Sequence, residues 1–209
     1  MKLYELAPSP NARRVNIFLA EKGVKVERVH VDIRGGENLN PDFQAKSVNG
    51  RIPMLELDDG RCLCESVAIC RYIDEAHPSE HSLFGNTPWD KAYIEMWHRM
   101  VELEGLEMAF QAFRNLSRVY HDRENCIEAW GREAKARVAA FLPKLERRLG
   151  ESDYLAGADF TVVDIAAYVM ITFSKRFDVA PKPDQTRLKA WFETVSQRPS
   201  VVEVDSALS

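Results

Sequence analysis

The sequence predicts two domains, a small α/β domain followed by a bundle of helices. Strand and helix patterns alternate up to about residue 80, and only helical periodicity follows Pro88. At 209 residues, with 45% hydrophobic residues, the chain is long enough for one large domain or two small ones. The number of domains is therefore predicted from the change of pattern. We predict residues 1–80 as the α/β domain, 81–88 as a linker and 89–209 as the helical domain.

The α/β domain is predicted to follow the order βαβ-ββα. The predicted elements are strands over 2–6, 24–33, 52–57 and 61–63, and helices over 12–22 and 65–76. The turn Asp58-Asp59-Gly60 predicts that the last two strands form a hairpin, because glycine supplies the positive φ of a tight turn. Residues 34–50 are predicted as a loop with one helical turn near Pro41.

Beyond Pro88, apolar residues recur every three or four positions. This spacing predicts helices over 89–113, 127–149, 161–173 and 188–195. The third is apolar nearly all round, which is typical of a buried central helix. Thr161 and Asp164 have the spacing of a capping box, and we assign them to folding and not to catalysis.

Composition excludes several classes of function. The chain has 28 Lys and Arg against 32 Asp and Glu, a net charge of −4, which argues against a nucleic-acid partner. The apolar run 165–171 is far shorter than the roughly 20 residues that span a bilayer, so no membrane association is predicted. The first residues lack the apolar core of a secretory signal. A cytoplasmic protein with free thiols is therefore expected.

The cysteines and histidines do not form a pattern typical of a metal site. Cys62 and Cys64 are expected to point to opposite faces of a strand, and Cys70 to be a small buried hydrophobe. His77 and His81 are four residues apart, but the proline after His77 disrupts a helical pair of ligands. We predict no metal site.

Three local patterns could bind a small ligand. Ser9-Pro10-Asn11 opens the first helix, where unpaired amides favour an anion such as a thiolate and the hydroxyl adds a donor. A cis bond in Ile52-Pro53 would leave the preceding backbone exposed to a ligand. Glu65-Ser66 opens another helix and could hold the ammonium and carboxylate of an amino-acid-like group. Taken singly, Ser9 and Glu65-Ser66 are ordinary helix caps, and most bonds before proline are trans.

In this order and spacing, the patterns resemble the cytosolic glutathione transferase family. The resemblance covers essentially the whole chain and is carried by residues 9–15, 49–55, 65–69 and 154–164. It implies a thioredoxin-like fold for the first domain and a helical domain that contributes the electrophile pocket. It also implies glutathione as the cosubstrate, no other cofactor, and a homodimer. The chain is similar to bacterial members of the serine type or to an Asn-containing nu-like member. Types with a cysteine at the start of the first helix are disfavoured, because Ser9-Pro10-Asn11-Ala12 contains none.

The resemblance implies roles for individual residues. Ser9 supplies the hydroxyl that stabilises the glutathione thiolate, and Asn11 is its rival. A cis bond before Pro53 lets the Ile52 backbone pair with the cysteinyl unit. The residues implied to bind glutathione are Arg51 at the glycyl carboxylate, Ile52 and Pro53 at the cysteinyl unit, and Glu65 and Ser66 at the γ-glutamyl end.

The acceptor pocket of the family lies between the domains, beside the long helix of the second. The candidates in this chain are Trp97, Met100, Phe113 and Arg114, although bundle core or a dimer contact is the plainer expectation for any one of them. The function implied is conjugation of glutathione to an electrophilic small molecule. The alternatives are glutathione-dependent reduction of disulfides or peroxides, isomerisation of a maleyl-type substrate, and a non-catalytic binding protein of the same fold.

Overall fold

The computed structural model describes residues 1–80 and 82–208. The N-terminal part of the chain is built around a four-stranded mixed sheet. The strands are β1 Lys2–Glu5, β2 Glu27–His30, β3 Met54–Glu56 and β4 Cys62–Cys64. Their order is β2-β1-β3-β4, with β2 parallel to β1 and with β3 antiparallel to both β1 and β4. The order βαβ-ββα and the hairpin are confirmed. β2 is shorter than the predicted 24–33, because it pairs only along the four residues of β1.

The helices of this part are α1 Pro10–Glu21, α2 Pro41–Lys46 and α3 Ser66–Ala76. α1 and α3 pack against each other, and their apolar sides are buried. Phe43 from α2 packs in a separate cluster with Val31 and Met54. The sheet is therefore flanked by short helices whose N-termini follow β1 and β4 closely.

Cys62 and Cys64 both pack against the cluster of Val31, Phe43 and Met54. The expectation that they point to opposite faces is wrong, because residues two apart in a strand lie on the same face. Cys70 is fully buried as predicted, and burial raises the pKa of its thiol to about 12.

The second part of the chain is helical. Its long first helix runs as α4 Pro88–Met100, a π-helical segment Val101–Leu106 and α5 Glu107–Ser117. A Cβ on Gly105 would lie 2.2 Å from the Met170 sulfur and 3.2 Å from the Phe141 ring, so the π-helical segment packs closely on its neighbours because this position has no side chain. The remaining helices of this part are α6 Glu128–Arg148, α7 Val162–Ser174 and α8 Thr186–Ser196.

α7 is the buried central helix that its composition predicts, with every residue from 162 to 171 buried. The capping box is confirmed. Thr161 Oγ1 accepts a hydrogen bond from the amide of Val163 at 3.3 Å, and Asp164 Oδ2 accepts from the amide of Thr161 at 2.9 Å.

A last helix, α9 Pro199–Ser206, is absent from the sequence prediction. The chain divides into two compact units, Met1–Ser82 together with this last helix, and Leu83–Gln197. The helical domain was predicted to run to residue 209, but α9 packs on α1 instead. Two ion pairs join these helices, Arg13 with Asp205 at 2.6 Å and Arg198 with Glu21 at 2.8 Å. No helix among the described residues combines the length and apolar character needed to cross a bilayer.

Candidate functional site

The register of the sheet brings the three sequence patterns of the first unit to one end of it. Tyr4 of β1 lies opposite Met54 of β3, and Met54 lies opposite Cys64 of β4. Ser9 follows β1 closely, Pro53 directly precedes β3, and Glu65 directly follows β4. The antiparallel pairing therefore places Ser9 at the same edge as Pro53 and Glu65, which lie more than 40 positions later along the chain.

Ser9 is the residue before the first turn of α1, but its side chain makes no capping hydrogen bond. Its Oγ atom is buried and has no hydrogen-bond partner among the described residues. A buried hydroxyl without a partner costs about 1–3 kcal/mol in a folded protein, so such atoms are rare outside functional sites. The capping interpretation of Ser9 is therefore wrong, and its hydroxyl is available to a ligand.

The first turn of α1 supplies further donors. Pro10 has no N–H, so the first amides of the helix are those of Asn11 and Ala12, at the positive end of the helix dipole. The half-buried Asn11 side chain makes no hydrogen bond within the described part of the chain. Hydroxyl, amide and backbone donors thus lie within three residues, which is the composition of an anion site.

The loop before β3 is held in shape by Ser47. This buried hydroxyl accepts a hydrogen bond from the amide of Arg51 at 3.2 Å and from the Cys64 thiol at 3.5 Å. The bond between Ile52 and Pro53 is cis, as the resemblance implies. Arg51 is exposed, and its side chain makes no hydrogen bond within the described residues.

Glu65 has a φ of 70°, an uncommon value for a residue other than glycine. Asn49 donates to one oxygen of its exposed carboxylate at 2.7 Å, which fixes the side chain and leaves the other oxygen to a ligand. Ser66 is buried, and its hydroxyl accepts from Arg14 Nη1 at 3.1 Å. Neither Glu65 nor Ser66 caps α3 with its side chain, so the capping interpretation is wrong here as well.

Sequence reasoning assigned no role to Ser47 or Arg14. Arg14 is only 1% exposed and joins α1 to the start of α3. In the sequence, Arg14 follows the more exposed Arg13. The one sequence signal that favours burial of Arg14 is its position between Ala12 and Val15, which lie on the apolar side of the helix. Ser47 carries no signal of its own, because its partners are set by the path of the loop.

The acceptor-pocket candidates of the second unit fall into two groups. Phe113 stacks edge-on against Phe173 with ring centres 5.1 Å apart, and Arg114 pairs with Glu124 and lies over the Tyr120 ring. Trp97 lies 16 residues earlier along the same helix, about 24 Å away. The structure therefore does not bring all four candidates together.

Trp97 lines a cleft with Lys144, Arg147, Arg148 and Glu151. Met100 is half-buried near the end of α4, between the two groups. No cluster of three or more His, Cys, Asp or Glu side chains suited to a metal occurs in residues 1–80 and 82–208. His81 lies outside the described residues.

Two family models match the chain, the glutathione S-transferase N-terminal domain over residues 1–75 and the C-terminal domain over residues 128–199. A curated relative, glutathione S-transferase 2 of Saccharomyces cerevisiae, is 31% identical, with 96% of this chain and 88% of the relative aligned.

Solved structures agree with these matches. The class Gtt2 glutathione S-transferase of Vibrio parahaemolyticus is 50% identical with a TM-score of 0.85, covering 98% of this chain and 97% of that one. Gtt2 of Saccharomyces cerevisiae is 31% identical with a TM-score of 0.93, covering 98% and 100%. With both domains matched and this identity extending over nearly the whole chain, the protein belongs to the glutathione S-transferase family and is a glutathione transferase enzyme.

Proposed function

We propose that this enzyme conjugates the glutathione thiolate to an electrophilic carbon of a small molecule, with Ser9 as the main donor to the sulfur. The observation that supports this proposal is the buried Ser9 hydroxyl without a partner at the start of α1. Such a donor in the positive field of a helix N-terminus favours a thiolate over a thiol.

The chemistry then follows from the charge on sulfur. An ordinary thiol has a pKa of about 8.5, and each unit by which the site lowers it stabilises the thiolate by about 1.36 kcal/mol. The thiolate forms a new S–C bond while the leaving group departs with the electron pair, or while an activated double bond accepts it. Asn11, two residues further, is proposed as a second donor to the sulfur.

The remaining residues at this edge of the sheet are proposed to bind the ends of glutathione. The free oxygen of Glu65 takes the γ-glutamyl ammonium, and the first amides of α3 with Ser66 take its carboxylate. The Ile52 backbone before Pro53 pairs with the cysteinyl unit. Arg51 takes the glycyl carboxylate.

We assign Phe113 and Arg114 to the electrophile side and leave Trp97 and Met100 out. Phe113 supplies an aromatic surface and Arg114 a cation at the end of α5. Trp97 and Met100 lie 16 and 13 residues before Phe113 on the same helix, about 24 Å and about 20 Å away, and each separation exceeds the width of a pocket for one small molecule.

A homodimer is part of the proposal. Large apolar side chains are exposed at Trp89 (73%), Met96 (45%) and Leu103 (51%), seven residues apart and so on one side of the long helix. Apolar surface of this kind in a regular row is typical of a protein interface. We propose that a second copy of the chain covers it.

The test is conjugation of a chloro-dinitrobenzene acceptor by Ser9→Ala, Asn11→Ala and the double variant. We expect Ser9→Ala to lower kcat by about 100-fold, as removal of one donor to a developing anion does in other enzymes. Its affinity for glutathione should change little, and ultraviolet absorbance of the bound thiolate should show a raised thiol pKa.

Ser117→Ala, at the exposed end of α5, is the matched control and should behave as wild type. Wild-type turnover by the double variant would contradict the assignment of both donors. Absence of glutathione binding in calorimetry at millimolar ligand would instead favour a non-catalytic binding protein.

A further inference from the structure

We infer that the helical unit carries a second binding site, for a small organic carboxylate, in the cleft lined by Trp97, Lys144, Arg147, Arg148 and Glu151. The cleft has a volume of about 260 Å³. It is formed by α4 and the end of α6, whereas the residues proposed to bind glutathione all belong to the first unit. The inference therefore stands apart from the proposed conjugation.

Arg148 forms the buried floor of this carboxylate cleft. It is 9% exposed, and its guanidinium carbon lies 5.3 Å from the centre of the Trp97 ring and 5.7 Å from that of Tyr93. Nε donates to the carbonyl of Leu155 at 2.9 Å and Nη1 to Glu151 at 3.1 Å. No hydrogen bond within the described residues uses Nη2. The guanidinium is thus fixed in place while part of its donor set remains available.

Trp97 adds a second donor. Its indole N–H is buried and has no hydrogen-bond partner in the described part of the chain. An indole nitrogen only donates, so an acceptor atom is needed to satisfy it. The packing of Arg148 against the Trp97 ring keeps the indole in its position.

The rim of the cleft is positively charged. Lys144 pairs with Glu104 at 2.5 Å, and Arg148 pairs with Glu151 at 3.1 Å. Arg147 is exposed and has no ion pair within the described residues, so its charge is not compensated.

These features together specify the ligand. Apart from the Glu151 carboxylate, which pairs with Arg148, the polar groups of the cleft are donors, two of them on guanidinium groups, so the ligand is an acceptor that carries negative charge. A carboxylate places two oxygens in the plane that a guanidinium fork matches. Drug-sized ligands occupy pockets of about 300–1,000 Å³, so this cleft suits a smaller molecule.

The test uses sodium benzoate as the probe, followed through the indole N–H signals of the four tryptophans in nitrogen-15 NMR spectra. Trp97→Phe assigns the Trp97 signal. We expect benzoate to shift this signal saturably, and benzyl alcohol or sodium chloride at equal ionic strength to leave it in place. Arg147→Gln should weaken benzoate binding by about tenfold, since it removes a charged donor.

Arg132→Gln is the matched control, because Arg132 lies exposed on the same helix and pairs with Glu128. It should retain wild-type benzoate affinity. The inference is overturned if benzyl alcohol shifts the Trp97 signal as benzoate does, or if Arg147→Gln binds benzoate as wild type does. It is also overturned if the signal responds to protein dilution and not to benzoate, since a second copy then covers the cleft.

Discussion

At the scale of single residues, the candidate site contains side chains at helix starts that make no capping hydrogen bond. Ser9 and Glu65 stand where helix caps are found, yet neither caps its helix with its side chain. Glu65 also takes a positive φ, a conformation that costs about 1–3 kcal/mol and that occurs preferentially in functional sites. Asn49 orients its carboxylate from a loop 16 residues away. Together these features support the proposal that Glu65 is a binding residue.

Replacing Glu65 by Gln tests its proposed role with little change of shape. The amide oxygen can still accept from Asn49, but the negative charge is lost. A hydrogen bond to a charged group contributes about 1.5–3 kcal/mol, so the Kd for glutathione should rise by about 10- to 100-fold. Isothermal calorimetry measures this change, and kcat at saturating glutathione should change little.

Glu75→Gln, on the exposed side of α3, is the control and should bind glutathione as wild type does. An unchanged affinity of Glu65→Gln would remove Glu65 from the proposed site.

At the scale of elements, the start of α7 shows how a buried carboxylate organises a helix. Asp164 is fully buried and accepts from the amide of Leu155 at 3.1 Å, the amide of Thr161 at 2.9 Å and the indole of Trp191 at 3.0 Å. Burial raises its pKa to about 6, although these hydrogen bonds favour the charged form. The capping box therefore joins α7 to α8 as well as to the preceding loop.

The raised pKa predicts a definite pH dependence of stability. The carboxyl of Asp164 binds its proton more tightly in the folded state than in the unfolded one, where the pKa is near 3.8. Its contribution to stability is present below pH 3.8 and is lost as the pH rises through about 6. The loss amounts to about 3 kcal/mol.

The measurement compares urea unfolding of wild type and Asp164→Asn between pH 4 and 7. The Asp164→Asn variant should be less stable than wild type throughout, because its NH₂ group faces hydrogen-bond donors, but the difference in the free energy of unfolding should shrink as the pH rises. Asp178→Asn, at an exposed carboxylate, should show no such trend. A difference that grows with pH would contradict the raised pKa.

At the scale of the whole molecule, the end of the chain returns to its beginning. Arg13 near the start of α1 pairs with Asp205, and Glu21 at its end pairs with Arg198, so α9 is attached to both ends of α1. α1 also carries Ser9 at its N-terminus. The helix that presents the proposed thiolate donor is thus held by residues about 180 to 190 positions later.

A double-mutant cycle on Arg13→Gln and Asp205→Asn measures this attachment. Two parallel hydrogen bonds, at 2.8 and 2.6 Å, join a guanidinium that is mostly buried to a carboxylate that is one-third exposed. We expect a coupling free energy of about 1 kcal/mol, decreasing at high salt. Additive effects of the two changes within error would mean that the ion pair does not fasten α9 to α1.

Apart from α9, the sequence by itself determined the elements and their order, because strand and helix periodicity, the Asp-Gly turn and the capping box depend on residues only a few positions apart. Its short patterns also predicted the family and the residues of the first unit that meet at one edge of the sheet. The tertiary structure decided which distant groups pair. The hydrogen bond of Arg14 with Ser66 and the packing of α9 on α1 both follow from tertiary packing. Such contacts join residues through space, and no local pattern along the chain specifies them.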